Sequence, residues 1–237
     1  MKRIYYIFLT VFMMTSCAEL QQVVNQLPES GILVTETDMA DGLRQALNFG
    51  IDKQVTKLTQ KDGFFKNELV KILLPDELKK VDKGLRDIGL DNLADEGLKV
   101  LNRAAEDAVK EATPIFVNAV ANISFTDVKN ILLGEDNAAT LYLTDKTQTQ
   151  LYNKFKPVIE SSFSKVGADQ IWANLITKYN NLPFTNNVNP DLTDYVTGEA
   201  LKGVYTMIAV EEKEIRTKVS SRTTDLLRKV FAIQDNK

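Results

Sequence analysis

The chain contains no histidine and a single cysteine, Cys17. Without histidine there can be no Ser-His-Asp or Cys-His nucleophilic system, no histidine general base and no His-dependent metal motif. With one cysteine there can be no internal disulfide, so stability must come from packing. A phosphate-binding glycine loop is also missing, because Gly134-Glu135-Asp136 lacks the Lys-Ser/Thr ending and no strand precedes it. No pair of alternating runs is joined by a hairpin turn, which argues against a sheet. Cations are not in excess: 29 Lys and Arg face 32 Asp and Glu, which argues against nucleic acid as a partner. No internal repeat or low-complexity tract is present, and nothing in the pattern calls for a cofactor or a metal.

The first residues have a design of their own. Met1-Lys2-Arg3 is basic, and Ile4–Met14 is apolar. That run is shorter than the roughly 20 residues a spanning helix needs. It matches a secretory signal. Met14-Thr15-Ser16-Cys17 closes it and resembles a bacterial lipobox, in which the cysteine is acylated and becomes the new N-terminus. Met14 and Thr15 depart from the commonest pattern of Leu followed by Ala or Ser. Several acyl chains on Cys17 would give stable membrane anchoring, which one chain does not. The expected organisation is a signal peptide at 1–16, a lipidated tether at 17–37 interrupted by Pro28, Ser30 and Gly31, and a helical domain at 38–237. The residue after Cys17 is Ala18 rather than Asp, which favours the outer membrane, facing the periplasm.

The domain reads as helical throughout. In Gly97–Ile123, residues Leu101, Ala104, Ala105, Ala108, Ala112, Ile115, Phe116, Ala119 and Ile123 fall on one stripe. This spacing predicts a central helix, kinked at Pro114, whose small residues let neighbours approach closely. Thr37-Asp38 is the expected cap of a first helix running to Gly63. A short helix through Phe64–Leu73 stops at Pro75, and another runs from Pro75 to Gly89. Ser124-x-x-Asp127 resembles a capping box. Leu141–Phe155 and Val158–Val166 read as helices on either side of Pro157, and Ala168–Tyr179 as one more. Asn180–Asp191 is a loop rich in Asn and Pro. Thr197 opens a long helix to about Val219, and Ser220 or Ser221 caps a last one through Ile233. The expectation is an all-α fold, a single bundle of roughly nine or ten helices.

The candidate chemistry lies in carboxylates and arginines. Glu212 falls at the centre of the inward stripe Leu201, Val204, Tyr205, Ile208, Ile215 and Val219. A buried carboxylate must find a cation or change its protonation, and Arg216, one turn on, is the nearest candidate, with Arg103, Arg222 and Arg44 behind it. Glu211 and Glu214 read as a solvated face. Asn187, Asn189, Asp191 and Asp194 read as a turn and a helix cap, because the glycine and closing glutamate of a calcium loop are missing. Asp62-Gly63-Phe64-Phe65 reads as a turn followed by two core anchors. No residue is assigned as catalytic. Arg103, Glu106, Glu212, Arg216, Arg222 and Asp225 are expected to form a buried polar network or to line a ligand groove.

Several segments together resemble a family of bacterial envelope lipoproteins defined only as a domain of unknown function. They are Asp62-Gly63-Phe64-Phe65, Asn102-Arg103-Ala104-Ala105-Glu106, Ala112-Thr113-Pro114-Ile115-Phe116, Tyr195-Val196-Thr197, Glu211-Glu212 with Ile215-Arg216, and Arg222-Thr223-Thr224-Asp225-Leu226-Leu227. The resemblance covers Asp38–Phe231. It implies export, lipidation and a helical fold, and it supplies no reaction. The first reading is therefore a non-enzymatic, lipid-anchored envelope module that meets another envelope protein or a small ligand. The alternatives are a carboxylate-dependent envelope hydrolase or transferase, and a carrier of lipid or another small ligand.

Overall fold

The computed structural model describes residues 34–87, 89, 91–168 and 191–235. The expected leader, most of the expected tether, and all but the end residues of the expected Ala168–Tyr179 helix and Asn180–Asp191 loop lie outside them. The described residues form α1 (Glu36–Thr59), α2 (Asp76–Asp87), α3 (Asp91–Val109), α4 (Ala112–Ala121), α5 (Phe125–Leu133), α6 (Ala138–Val166), α7 (Leu192–Thr217) and α8 (Asp225–Phe231). Among these residues there is no strand. Seven helices have nine residues or more and α8 has seven, fewer than the nine or ten expected. Among the described residues no helix is long and apolar enough to cross a membrane.

The small-residue stripe lies in the core. Leu101, Ala104, Ala105, Ala108, Ala112 and Phe116 are fully excluded from solvent. α6 and α7 pack on each other and on α3, while α1 lies against α7, α4 and α8. The stripe does not run through one kinked helix. The chain turns at Lys110-Glu111, and Pro114 takes the third position of α4. A first-turn residue needs no intrahelical donor, so proline is cheap there, whereas in a continuous helix its ring would meet the Lys110 carbonyl. Pro157 behaves differently and sits inside α6, so the two helices expected around it are one. Leu151, Phe155, Ile159 and Phe163 continue as one buried row past the proline. Their packing outweighs its cost of about 3 kcal/mol.

The remaining boundary differences have local causes. α1 is capped by Thr35, with Asp38 at the third position closing a capping box, rather than by Thr37-Asp38. Lys229 of α8 and the Thr35 groups hold the Asp38 carboxyl well below the usual range. The Ser124/Asp127 capping box forms as the spacing predicts. α7 begins at Leu192 because Asp191 accepts the Asp194 amide, five residues before Thr197. Val219 lies beyond that helix and is exposed. α8 is capped by Thr224 rather than by Ser220 or Ser221.

Phe64–Leu73 is not a helix; it is a set of turns followed by extended chain. The Ile72 amide donates to Asn102 Oδ1 at 2.8 Å, and Asn102 Nδ2 donates to the Ile72 carbonyl at 2.9 Å. Asn102 is fully buried and occupies the backbone groups a helix would have needed. Asp62 adopts a left-handed conformation at φ 69°, which Asp tolerates better than most residues. A Cβ on Gly63 would lie 2.4 Å from the Leu58 carbonyl oxygen, so the turn can pass under α1 only with glycine.

Two glycines of α7 differ sharply. A Cβ at Gly203 would sit 2.7 Å from Phe64 Cε1, whereas one at Gly198 meets nothing within 4 Å. Gly198→Ala should stabilise the protein by about 0.5–1 kcal/mol through helix propensity. Gly203→Ala should cost about 1–3 kcal/mol through overpacking. Urea unfolding of the two variants should move the midpoint in opposite directions.

Candidate functional site

Glu212 projects from α7 into the junction of α5 and α6. Asn137, which precedes α6, makes no side-chain cap. Glu212 supplies the cap from another helix: Oε1 accepts the Ala139 amide at 2.9 Å, and Oε2 accepts the Thr140 amide and hydroxyl, each at 2.8 Å. Arg216 Nε and Nη2 donate to Oε1 at 3.0 and 2.9 Å. Arg216 Nη2 also donates to the Ile131 carbonyl in the last turn of α5, at 2.7 Å. The acid therefore meets the positive end of one helix and the base the negative end of another, as helix dipoles favour. Glu212 is 9% exposed and Arg216 3%. The cavity beside them holds about 30 Å³, room for a water but not for a substrate. Arg216 is among the residues that line this space, and its Nη1 is buried and has no hydrogen-bond partner among the described residues.

Glu211, expected in solvent, is buried. Its carboxylate accepts from Lys53 Nζ and Gln54 Nε2 of α1, both at 2.7 Å. α7 is covered on two sides, by α6 and α1, so a residue next to the inward stripe is also inside. Glu214 remains at the surface, bonded to Lys218. Arg222 is 1% exposed; Nε donates to the Ile215 carbonyl and Nη2 to the Arg216 carbonyl, each at 3.0 Å, while Asp235 pairs with its outer edge. It closes the C-terminus of α7. Asp225 does not join this set: its side chain is fully exposed and, among the described residues, pairs with Arg228 alone. Tyr205, buried against Phe116 and bonded to the Thr147 hydroxyl at 2.8 Å, has its phenol pushed up to about 12 by burial.

The second cluster lies at the other end of the fold. Arg103 Nη1 donates to Glu106 Oε2 and Nη2 to Asp62 Oδ1, each at 2.5 Å, and Glu106 Oε1 accepts the Phe64 amide at 3.2 Å. Burial alone would lower the Arg103 guanidinium, but the two carboxylates outweigh it and hold it above its ordinary value. Lys66, with help from Arg103, holds Asp62 below its ordinary value. Arg103 is thus fixed in place at the floor of an open groove of about 750 Å³. Lys61, Lys66, Lys99 and Lys165 also line that groove, together with Phe65. Phe64 is a core anchor as expected, but Phe65 is not: it is half-buried, with the Lys71 ammonium 4.7 Å from its ring centre.

A family model described as "Protein of unknown function (DUF4197)" matches residues 33–232. The chain belongs to this family. No curated protein and no solved structure matches it. In this DUF4197 chain Arg103 lines the groove and pairs with the buried Glu106, while Glu212 and Arg216 meet at a separate internal junction. Arg222 caps the end of the same helix as that pair, and Asp225 stands apart. Lys61 and Lys165 carry no signal in the sequence, and Phe65 reads there as a core anchor, because groove residues from three elements share no period; the Asp62-Gly63 turn is the local signal nearest to them.

Glu212→Gln keeps the volume but leaves Arg216 without its counter-charge, and Arg216→Met does the reverse. Each should cost about 3–5 kcal/mol, the usual penalty for orphaning a buried partner. The double variant should cost less than the two single losses together, by 1 kcal/mol or more, in a double-mutant cycle read by urea unfolding.

Proposed function

We propose that this chain is an exported cell-envelope protein, acylated at Cys17 and held at the outer membrane facing the periplasm. Its helical domain acts as a binding or scaffolding module without turnover. The observation that carries the second half of this reading is the state of the inward carboxylates. Glu106, Glu211 and Glu212 each accept two or more hydrogen bonds from fixed protein donors. A glycoside-cleaving or transferring pair needs two carboxyl groups facing a common cleft. Glu212 is sealed by Arg216 and by two backbone amides, so a hydrolase built on it is abandoned. A lipid carrier needs a large apolar cavity, and the water-sized space beside Glu212 does not provide one.

The lipobox-like Met14-Thr15-Ser16-Cys17 supports the first half. The chain produced in a bacterial host with an alkyne fatty acid should carry the label and sediment with outer membranes. Cys17→Ser should lose the label and appear in the soluble fraction. Persistent labelling of Cys17→Ser, or an unlabelled free thiol at position 17 of the exported wild-type chain, would contradict the anchor.

A further inference from the structure

The groove lined by Arg103 is more basic than a chain with a net charge of −3 leads one to expect. Five of its lining side chains are cationic: Lys61, Lys66, Lys99, Arg103 and Lys165. Its three acids are already occupied. Asp62 is bonded to Lys66 at 3.0 Å and to Arg103, Glu96 to Lys99 at 2.7 Å, and Asp107 to Lys110, which stands outside the lining, at 2.7 Å. Lys61 and Lys165 are exposed and, among the described residues, have no acidic partner. The cations come from the α1–α2 connection, from α3 and from the end of α6, so they face the space from three sides. Such a concave arrangement concentrates positive potential and raises the local concentration of anions. A volume of about 750 Å³ is within the range of small-molecule sites.

We propose that this groove binds an anion with clustered phosphate groups. A single carboxylate would neutralise one wall and leave the others repelling each other; several phosphates on one molecule match cations on three walls. The floor is preorganised, because Glu106 and Asp62 hold the Arg103 fork and Phe65 carries Lys71 on its ring and has Lys99 at 6.0 Å. Lys61 and Lys165, which have no acidic partner among the described residues, are the direct contacts. Lys66, Lys99 and Arg103, each paired with an acid, complete the lining as hydrogen-bond donors, and the net positive charge comes from Lys61 and Lys165. The phosphates can belong to a soluble molecule or to lipid headgroups. The proposal rests on reading the domain as a binding module, and it is independent of acylation.

The test uses the full chain carrying Cys17→Ser, so that no acyl group adds its own membrane affinity. Tripolyphosphate is titrated calorimetrically, and cosedimentation is measured with phosphatidylglycerol vesicles against phosphatidylcholine vesicles. Saturable binding of tripolyphosphate marks a soluble ligand, and binding to phosphatidylglycerol alone marks a headgroup. In either case the Lys61→Gln/Lys165→Gln double variant should weaken binding tenfold or more, with an unchanged melting curve. Lys213→Gln, an exposed lysine on α7 outside the groove, should leave the affinity within twofold. No binding of either probe, or equal binding by the groove variant and the wild type, would overturn the proposal. Fatty-acid labelling of the wild-type chain would stand in either case, so failure of the groove is distinguishable from failure of the anchor.

Discussion

The Glu212–Arg216 pair is the joint on which the bundle depends. Four amides at the start of a helix and four carbonyls at its end lack partners within it, and when those ends are buried something else must satisfy them. Here Ile131 and Leu132 in the last turn of α5, and Ala139 and Thr140 in the first turn of α6, are buried beside α7. Glu212 takes the first-turn amides of α6 while Arg216 takes a last-turn carbonyl of α5. The two side chains also neutralise each other, which removes the largest cost of burying either. One turn of α7 therefore fixes the positions of two other helices.

The same device recurs at other helix ends. Arg222 closes the end of α7, Gln234 donates to the Leu132 carbonyl of α5, and Arg44 of α1 donates to the Ile123 carbonyl just beyond α4. Glu211 adds a lateral tie from α7 to α1. Asn102 fastens the extended Ile72 segment to α3. The polar residues inside this protein are therefore largely accounted for by architecture. What is left over, with spare charge and open to solvent, is the groove around Arg103.

Periodicity made the core legible. The Ala104, Ala105 and Ala108 stripe is buried as its spacing predicts, and Glu212 with Arg216 one turn on emerged from the same reasoning applied to α7. Ser124 and Asp127 announced their helix because a capping box is written within four residues. Contacts made across the fold were not legible. The cap of α6 comes from a residue more than seventy positions later, and nothing near Asn137 signals it. Burial of Glu211 follows from α7 having neighbours on two sides, a tertiary fact with no local mark. Prolines were ambiguous: Pro114 begins a helix and Pro157 lies within one, and only the neighbouring packing distinguishes them.

First-turn amides of a helix ordinarily exchange with solvent quickly, because nothing in the helix holds them. Native-state hydrogen exchange at Ala139 and Thr140 therefore probes the joint directly. Both amides should exchange only with global unfolding, as slowly as the core amides of α7. Exchange as fast as at an exposed helix start would show that Glu212 does not hold α6, and would contradict the account of its carboxylate as a structural joint.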